Sequence, residues 1–182
     1  MNAPQVGADL RFDAFELSRL RQRLAGQIAV ARLPRLAAEL AERVGQIDYS
    51  VQGAPDAQGY PGASLSLKGT LRLRCERCGE PLDFALGREV HFRFVRSEAE
   101  ADALPLEGEG DEEVVVGSTS MSLSDWIEEE VILSLPVAPK HEVCTAAALA
   151  GENPEVAAEA PLAEGRRQPF AALASLRKPA KH

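Results

Sequence analysis

The chain has 182 residues, of which 45% are hydrophobic and 26% charged, with a net charge of −8 and three cysteines. This is apolar material for one ordinary core. The odd cysteine count argues against a disulfide framework, and no apolar run approaches the roughly eighteen residues of a membrane-spanning helix. The opening MNAPQVGADLRFDAF has no basic region followed by an apolar stretch, so no secretory leader is expected and the cytoplasm is the expected location.

The charge is partitioned along the chain. Residues 1–96 carry 14 basic and 11 acidic side chains, residues 97–164 carry 1 and 17, and residues 165–182 carry 5 and none. A mildly basic body with an acidic middle and a basic tail allows one side to meet RNA and another to meet a basic protein, because the local field decides. The plainer alternative is a set of solvated charge runs.

In chain order, FELSRLRQRLAG spaces Phe15, Leu17, Leu20 and Leu24 as one face of a helix that stops at Gly26. QIAVARL reads as a strand, and LPRLAAELAERVG as a second helix with Pro34 in its first turn and Gly45 at its end. QIDYSVQG alternates Ile47, Tyr49 and Val51. After the turn-rich GAPDAQGYPG, ASLSLKGTLRLRC alternates Leu65, Leu67, Leu71 and Leu73, with Gly69 as a bend or bulge. EPLDFALGREVHFRFVR predicts two further strands broken near Gly87. These segments predict an antiparallel β-meander with one buried face. EAEADALPLEGEGDEE reads as acidic loop or short helix, and EEVVVG as a short strand.

SMSLSDWIEEEVILSLP is the clearest helix. Ser122 and Asp125 form a capping-box-like start, Met121 and Trp126 a hydrophobic staple, and Pro136 the stop. Its apolar stripe is Leu123, Trp126, Ile127, Val131 and Leu135, while Glu128, Glu129 and Glu130 lie near the first turns, where the helix dipole favours negative charge. The fold class is therefore α+β, an antiparallel meander with flanking short helices. Residues 1–9 read as a flexible start, 10–144 as one domain and 145–182 as a largely disordered acidic-to-basic tail, too poor in large apolar groups to offset ordering entropy. Within that tail, residues 169–177 read as a short docking helix through Phe170, Leu173 and Leu176.

Cys75-Glu76-Arg77-Cys78-Gly79 is the C-x-x-C-G of a metal knuckle, in which two thiolates turn toward one point. A second half-site stands in PKHEVC as His141 and Cys144, with 62 residues between Cys78 and His141. Structural zinc on Cys75, Cys78, His141 and Cys144 is one reading. A redox pair is another, although it requires a βαβ context that the flanking strands and Pro81 do not provide. Unmetallated thiols at a β-turn are the third.

No nucleophile elbow, phosphate-binding glycine loop or H-E-x-x-H occurs, and no ordered carboxylate pair stands out, so neither catalysis nor a small-molecule substrate is expected. Arg72 and Arg74 alternate with Leu71 and Leu73 and so leave the sheet on its outer face; Arg77 follows at the knuckle. His91 and Arg93 on a nearby strand extend this into an RNA-contacting stripe, which binds phosphate with little sequence choice. Arginines kept on a polar sheet face for solubility are the rival explanation.

CERCGEPLDF, FRFVRSEAEADALP, DWIEEEVILSLPVAPKHEVC and QPFAALASLRK, in that order, resemble the bacterial YceD family, named for accumulation of large-subunit ribosomal RNA. The resemblance runs from about Leu10 to Lys178. It implies a non-enzymatic cytoplasmic factor needed for synthesis, processing or stability of 23S ribosomal RNA, which binds that RNA or a pre-ribosomal particle, with a ribosomal or assembly protein as a further partner. Many relatives carry a cysteine pair in each half; here His141 replaces one thiol and gives a Cys3His set. A protein-interaction module that never touches RNA remains the alternative.

Overall fold

The computed structural model describes residues 10–104 and 112–144. A short strand, β1 (Arg11–Phe12), leads into helix α1 (Ala14–Arg19). The Asp13 carboxylate accepts from the Phe15 and Glu16 amides at 2.8 and 3.0 Å and so starts that helix. The helix stops well before Gly26. Arg21 turns the chain with a positive φ of 49°, and β2 (Arg23–Ala29) follows. Leu24 therefore belongs to a strand, and the apparent helical spacing arose from a short helix joined to an alternating segment. Gly26 serves close packing: a Cβ there would lie 2.9 Å from the Tyr49 hydroxyl oxygen.

A 3-10 turn (Val30–Arg32) leads to α2 (Pro34–Glu39), which ends six residues before Gly45. Leu40 already has extended backbone, and the Ala41 amide bonds the Arg72 carbonyl instead of continuing the helix. Strands β3 (Gln46–Gly53), β4 (Gly62–Arg74) and β5 (Pro81–Val95) form the centre of the sheet. The β4–β5 register runs unbroken from Gly62↔Arg93 to Arg74↔Pro81, so neither the bulge expected at Gly69 nor the break expected at Gly87 exists. Both glycines sit in a long twisted ribbon that needs no interruption.

Helix α3 (Glu98–Asp102) lies within the acidic segment, and β6 (Glu112–Val116) then adds to β5 in parallel. The sheet order is β2-β3-β4-β5-β6, so the meander is antiparallel except at its last strand. β5 ends at Val95 but β6 begins opposite His91, so the connection carries the chain back along β5, as a parallel neighbour requires. Strand β7 (Met121–Ser122) pairs with β1, and α4 (Leu123–Ser134) follows. The Ser122 hydroxyl accepts from the Asp125 amide at 3.3 Å, as the capping signature predicts.

One face of the sheet builds the core. Ile47, Val51, Leu65, Leu67, Leu71 and Phe92 are buried there against Leu17, Leu36 and the α4 residues Trp126, Ile127 and Val131. Trp126 stacks its edge against Phe92 and Phe94, with ring centroids 4.8 and 6.0 Å away. The opposite face is polar, lined by Gln27, Ser50, Ser64, Lys68 and Thr70, and the described helices pack on the core side. No helix among the described residues is long and apolar enough to cross a membrane.

Candidate metal centre and nucleic-acid interface

The β4–β5 turn holds the knuckle. The Cys75 amide bonds the Glu80 carbonyl and the Gly79 amide bonds the Cys75 carbonyl, both at 2.9 Å. This tight turn needs Gly79 at φ +76°. After α4 ends, the chain crosses beneath the knuckle and is fixed there by the Glu76 amide on the Pro139 carbonyl, 2.9 Å. That crossing closes the 62-residue gap between the two half-sites.

The ligand atoms of Cys75, Cys78, His141 and Cys144 all lie within 4.8 Å of one another. Cys75 Sγ is 3.8 Å from Cys144 Sγ, and Cys78 Sγ is 3.4 Å from His141 Nδ1. Tetrahedral zinc, with bonds of about 2.3 Å to sulfur and 2.0–2.1 Å to nitrogen, requires separations of about 3.8 and 3.5 Å. A disulfide would need about 2.05 Å. The histidine tautomer agrees with a ligand role. Nε2 stands 3.2 Å from the Pro81 carbonyl oxygen, which only accepts, so Nε2 carries the proton and Nδ1 presents its lone pair to the thiols.

The electrostatics favour a cation as well. Burial raises the Cys75 thiol, but amides of His141, Arg77 and Cys78 outweigh it and bring the group down to about 5. Cys144 is pushed up to about 11 by burial and by the neighbouring thiols. One thiolate is welcomed and the next is resisted, a conflict that a bound dication removes. Cys75 and Cys78 stand on a β-turn and not at a helix N-terminus, the setting a C-x-x-C redox pair requires.

The expected arginine stripe is divided. Arg72 and Arg74 do leave the sheet on the polar face, with Arg77 exposed beside them. His91 and Arg93 occupy the same face but pair with Ser64 and Gly62. Eight residues of β4 separate Ser64 from Arg72, about 26 Å along the strand. A strand broken at Gly87 would have folded these groups together; the continuous hairpin holds them at opposite ends.

Several of these cations are already engaged. Arg72 bridges Asp83 and Glu42 at 3.0 and 3.3 Å, and Arg74 donates to the Gly79 carbonyl at 3.1 Å. Arg93 pairs with Asp56, donates to Gln58 at 2.7 Å and lies over the Tyr60 ring. Arg77 makes no ion pair among the described residues. Sequence reasoning passed over Lys68, exposed on the same face four residues before Arg72, although its place in the alternation was available. It also passed over Arg88, which turns to the helix side and bonds Glu130 and Glu113 at 3.2 and 2.8 Å. Phe170, Leu173 and Leu176 lie outside the described residues.

The family model described as large ribosomal RNA subunit accumulation protein YceD matches residues 63–177. The chain belongs to the YceD family. The match takes in both halves of the Cys3His cluster. Over nearly its whole length, the chain is also similar to a curated family member from Haemophilus influenzae, the large ribosomal RNA subunit accumulation protein YceD. Identity is 28% over 179 residues, covering 96% of this chain and 98% of the relative. No solved structure matches the chain significantly.

Proposed function

We propose that this YceD-family chain is a non-catalytic cytoplasmic accessory factor that supports accumulation of 23S ribosomal RNA by binding that RNA or a pre-ribosomal particle. The family match carries the ribosomal part of this reading. The polar sheet face, on which no described helix packs, supports a binding role: Arg72, Arg74 and Arg77 stand at its knuckle end and Lys68 midway along β4. Lys68, Arg74 and Arg77 make the phosphate contacts in this reading, while Arg72 stays with Asp83 and Glu42. His91 and Arg93 form a separate, weaker contact at the far end. The buried carboxylates of α4 serve the fold, as Glu128 holds α2 and Glu130 holds Arg88. This supports a binding role over a catalytic one.

Zinc on Cys75, Cys78, His141 and Cys144 would be structural, filling all four tetrahedral positions and leaving none for substrate. Its work would be to tie the segment after α4 to the β4–β5 turn, beside the phosphate contacts.

A second reading, binding to a basic ribosomal or assembly protein, is favoured by the 17 acidic side chains of residues 97–164. Crosslinking in cells, with RNA and protein adducts read from the same sample, separates the two. The RNA reading expects large-subunit rRNA adducts mapping to residues 68–77. Protein adducts alone would replace it with the second reading.

A further inference from the structure

Beside the knuckle runs an open groove of about 330 Å³, between the end of α4 and the end of β4. Leu73, Ile132, Leu135, Pro136, Val137 and Pro139 supply its apolar wall. Glu39, Arg74 and Glu76 also line it, two carboxylates to one guanidinium, and Val137 is fully exposed at the mouth. A trough of mixed surface, with a continuous apolar wall and a net acidic charge among its lining groups, is open to a segment that is apolar on one face and basic at its ends.

The chain contains such a segment. PFAALASLRK places Phe170, Leu173 and Leu176 at the three-residue spacing of one helix face, with Arg166 and Arg167 before it and Arg177 and Lys178 after it. Residues 165–182 contain no acidic side chain. The described chain ends at Cys144 in the knuckle, and the neighbouring Glu76 and Pro139 are both groove residues joined by a hydrogen bond. Twenty-five residues separate Cys144 from Phe170, and flexible chains of that length typically reach about 25–30 Å. Such a tether presents its own tail to the groove at an effective concentration of the order of millimolar. The family match also runs past the described fold to residue 177, through the apolar positions of this segment.

We infer that in the free chain the tail segment 169–178 docks in this groove, with Phe170, Leu173 and Leu176 on the apolar wall and the flanking cations beside Glu39 and Glu76. The groove is thereby closed by the protein's own C-terminal end. This contact is independent of the RNA reading and is present in the isolated protein.

Methyl-resolved NMR on the full-length chain tests it. Cross-relaxation is expected between the Phe170 ring and the methyls of Ile132, Leu135 and Val137, independent of protein concentration. The triple variant F170A/L173A/L176A should lose it and shift those methyls. V137D, a substitution at a fully exposed site that spares the core, should produce the matching loss from the groove side. Three results would overturn the inference. The groove methyls could be identical in wild type and triple variant. The cross-peaks could appear only between differently labelled molecules, making the occupant a second copy. They could also respond to the tail variant only after ribosomal precursors are added, making the occupant a partner.

Discussion

Glu128 and Glu130 are 4% and 3% exposed on α4, where a helix surface usually keeps carboxylates in water. Glu128 turns its charge to α2, a short helix whose N-cap residue Leu33 offers no side-chain acceptor. One Glu128 oxygen accepts from the Arg35 and Leu36 amides at 2.7 and 3.0 Å, so the cap comes from a different helix. Replacing Glu128 with Ala leaves two amides unpartnered and should cost about 1–3 kcal/mol in urea unfolding. Replacing the neighbouring Glu129, in an exposed pair with Arg35, should cost below about 1 kcal/mol. Glu130 is held above its ordinary value of 4.5, first by burial and then by Glu113, with Arg88 opposing. The folded state thus holds the Glu130 proton more tightly than the unfolded chain does. The stability this contributes is present at acid pH and lost as pH rises through the folded value. E130Q, which mimics the protonated side chain, should therefore gain stability relative to wild type as pH rises from about 4 toward neutrality. A pH series of unfolding midpoints reads this directly, and a constant difference would contradict it.

At the scale of elements, the knuckle and the segment after α4 form one unit. Besides the cysteine cluster, the Glu76–Pro139 hydrogen bond ties them together. Purified protein should carry one zinc per chain, and H141A should lower that content. Chelation should raise amide exchange in residues 75–80 and 139–144 while β3 and β4 keep their protection; unchanged exchange in the knuckle would contradict a structural metal. The Cys3His cluster was legible in sequence because two x-x spacings fix two pairs regardless of what lies between them. Strands β3 and β4 were legible because strict alternation over Ile47–Val51 and Leu65–Leu73 has no helical counterpart. The first helix was overextended because a glycine required by Tyr49 looks the same in sequence as a helix stop. The parallel placement of β6 and the burial of Glu128 were hidden for one reason: each depends on a partner more than fifteen residues away.

At the scale of the molecule, the described residues form a one-sided sheet, with their helices packed on one face and the other face polar. The net charge of −8 misrepresents that polar face, because the acidic excess sits in residues 97–164 while Arg72, Arg74 and Arg77 stand by the knuckle and Lys68 midway along β4. The arginine stripe was half legible: alternation gave the correct face, but the long β4–β5 register separated His91 and Arg93 from the rest. The central claim is that the knuckle end of this face grips large-subunit rRNA through phosphates. The most direct test measures binding of a 23S rRNA fragment across a salt series, for the wild type and for Lys68, Arg74 and Arg77 changed together to Ala. Affinity should fall steeply with salt, and the variant's log–log slope should be shallower by about 2–3, close to one phosphate contact per removed cation. An identical slope in the two proteins, or wild-type binding that salt leaves unchanged, would contradict the claim.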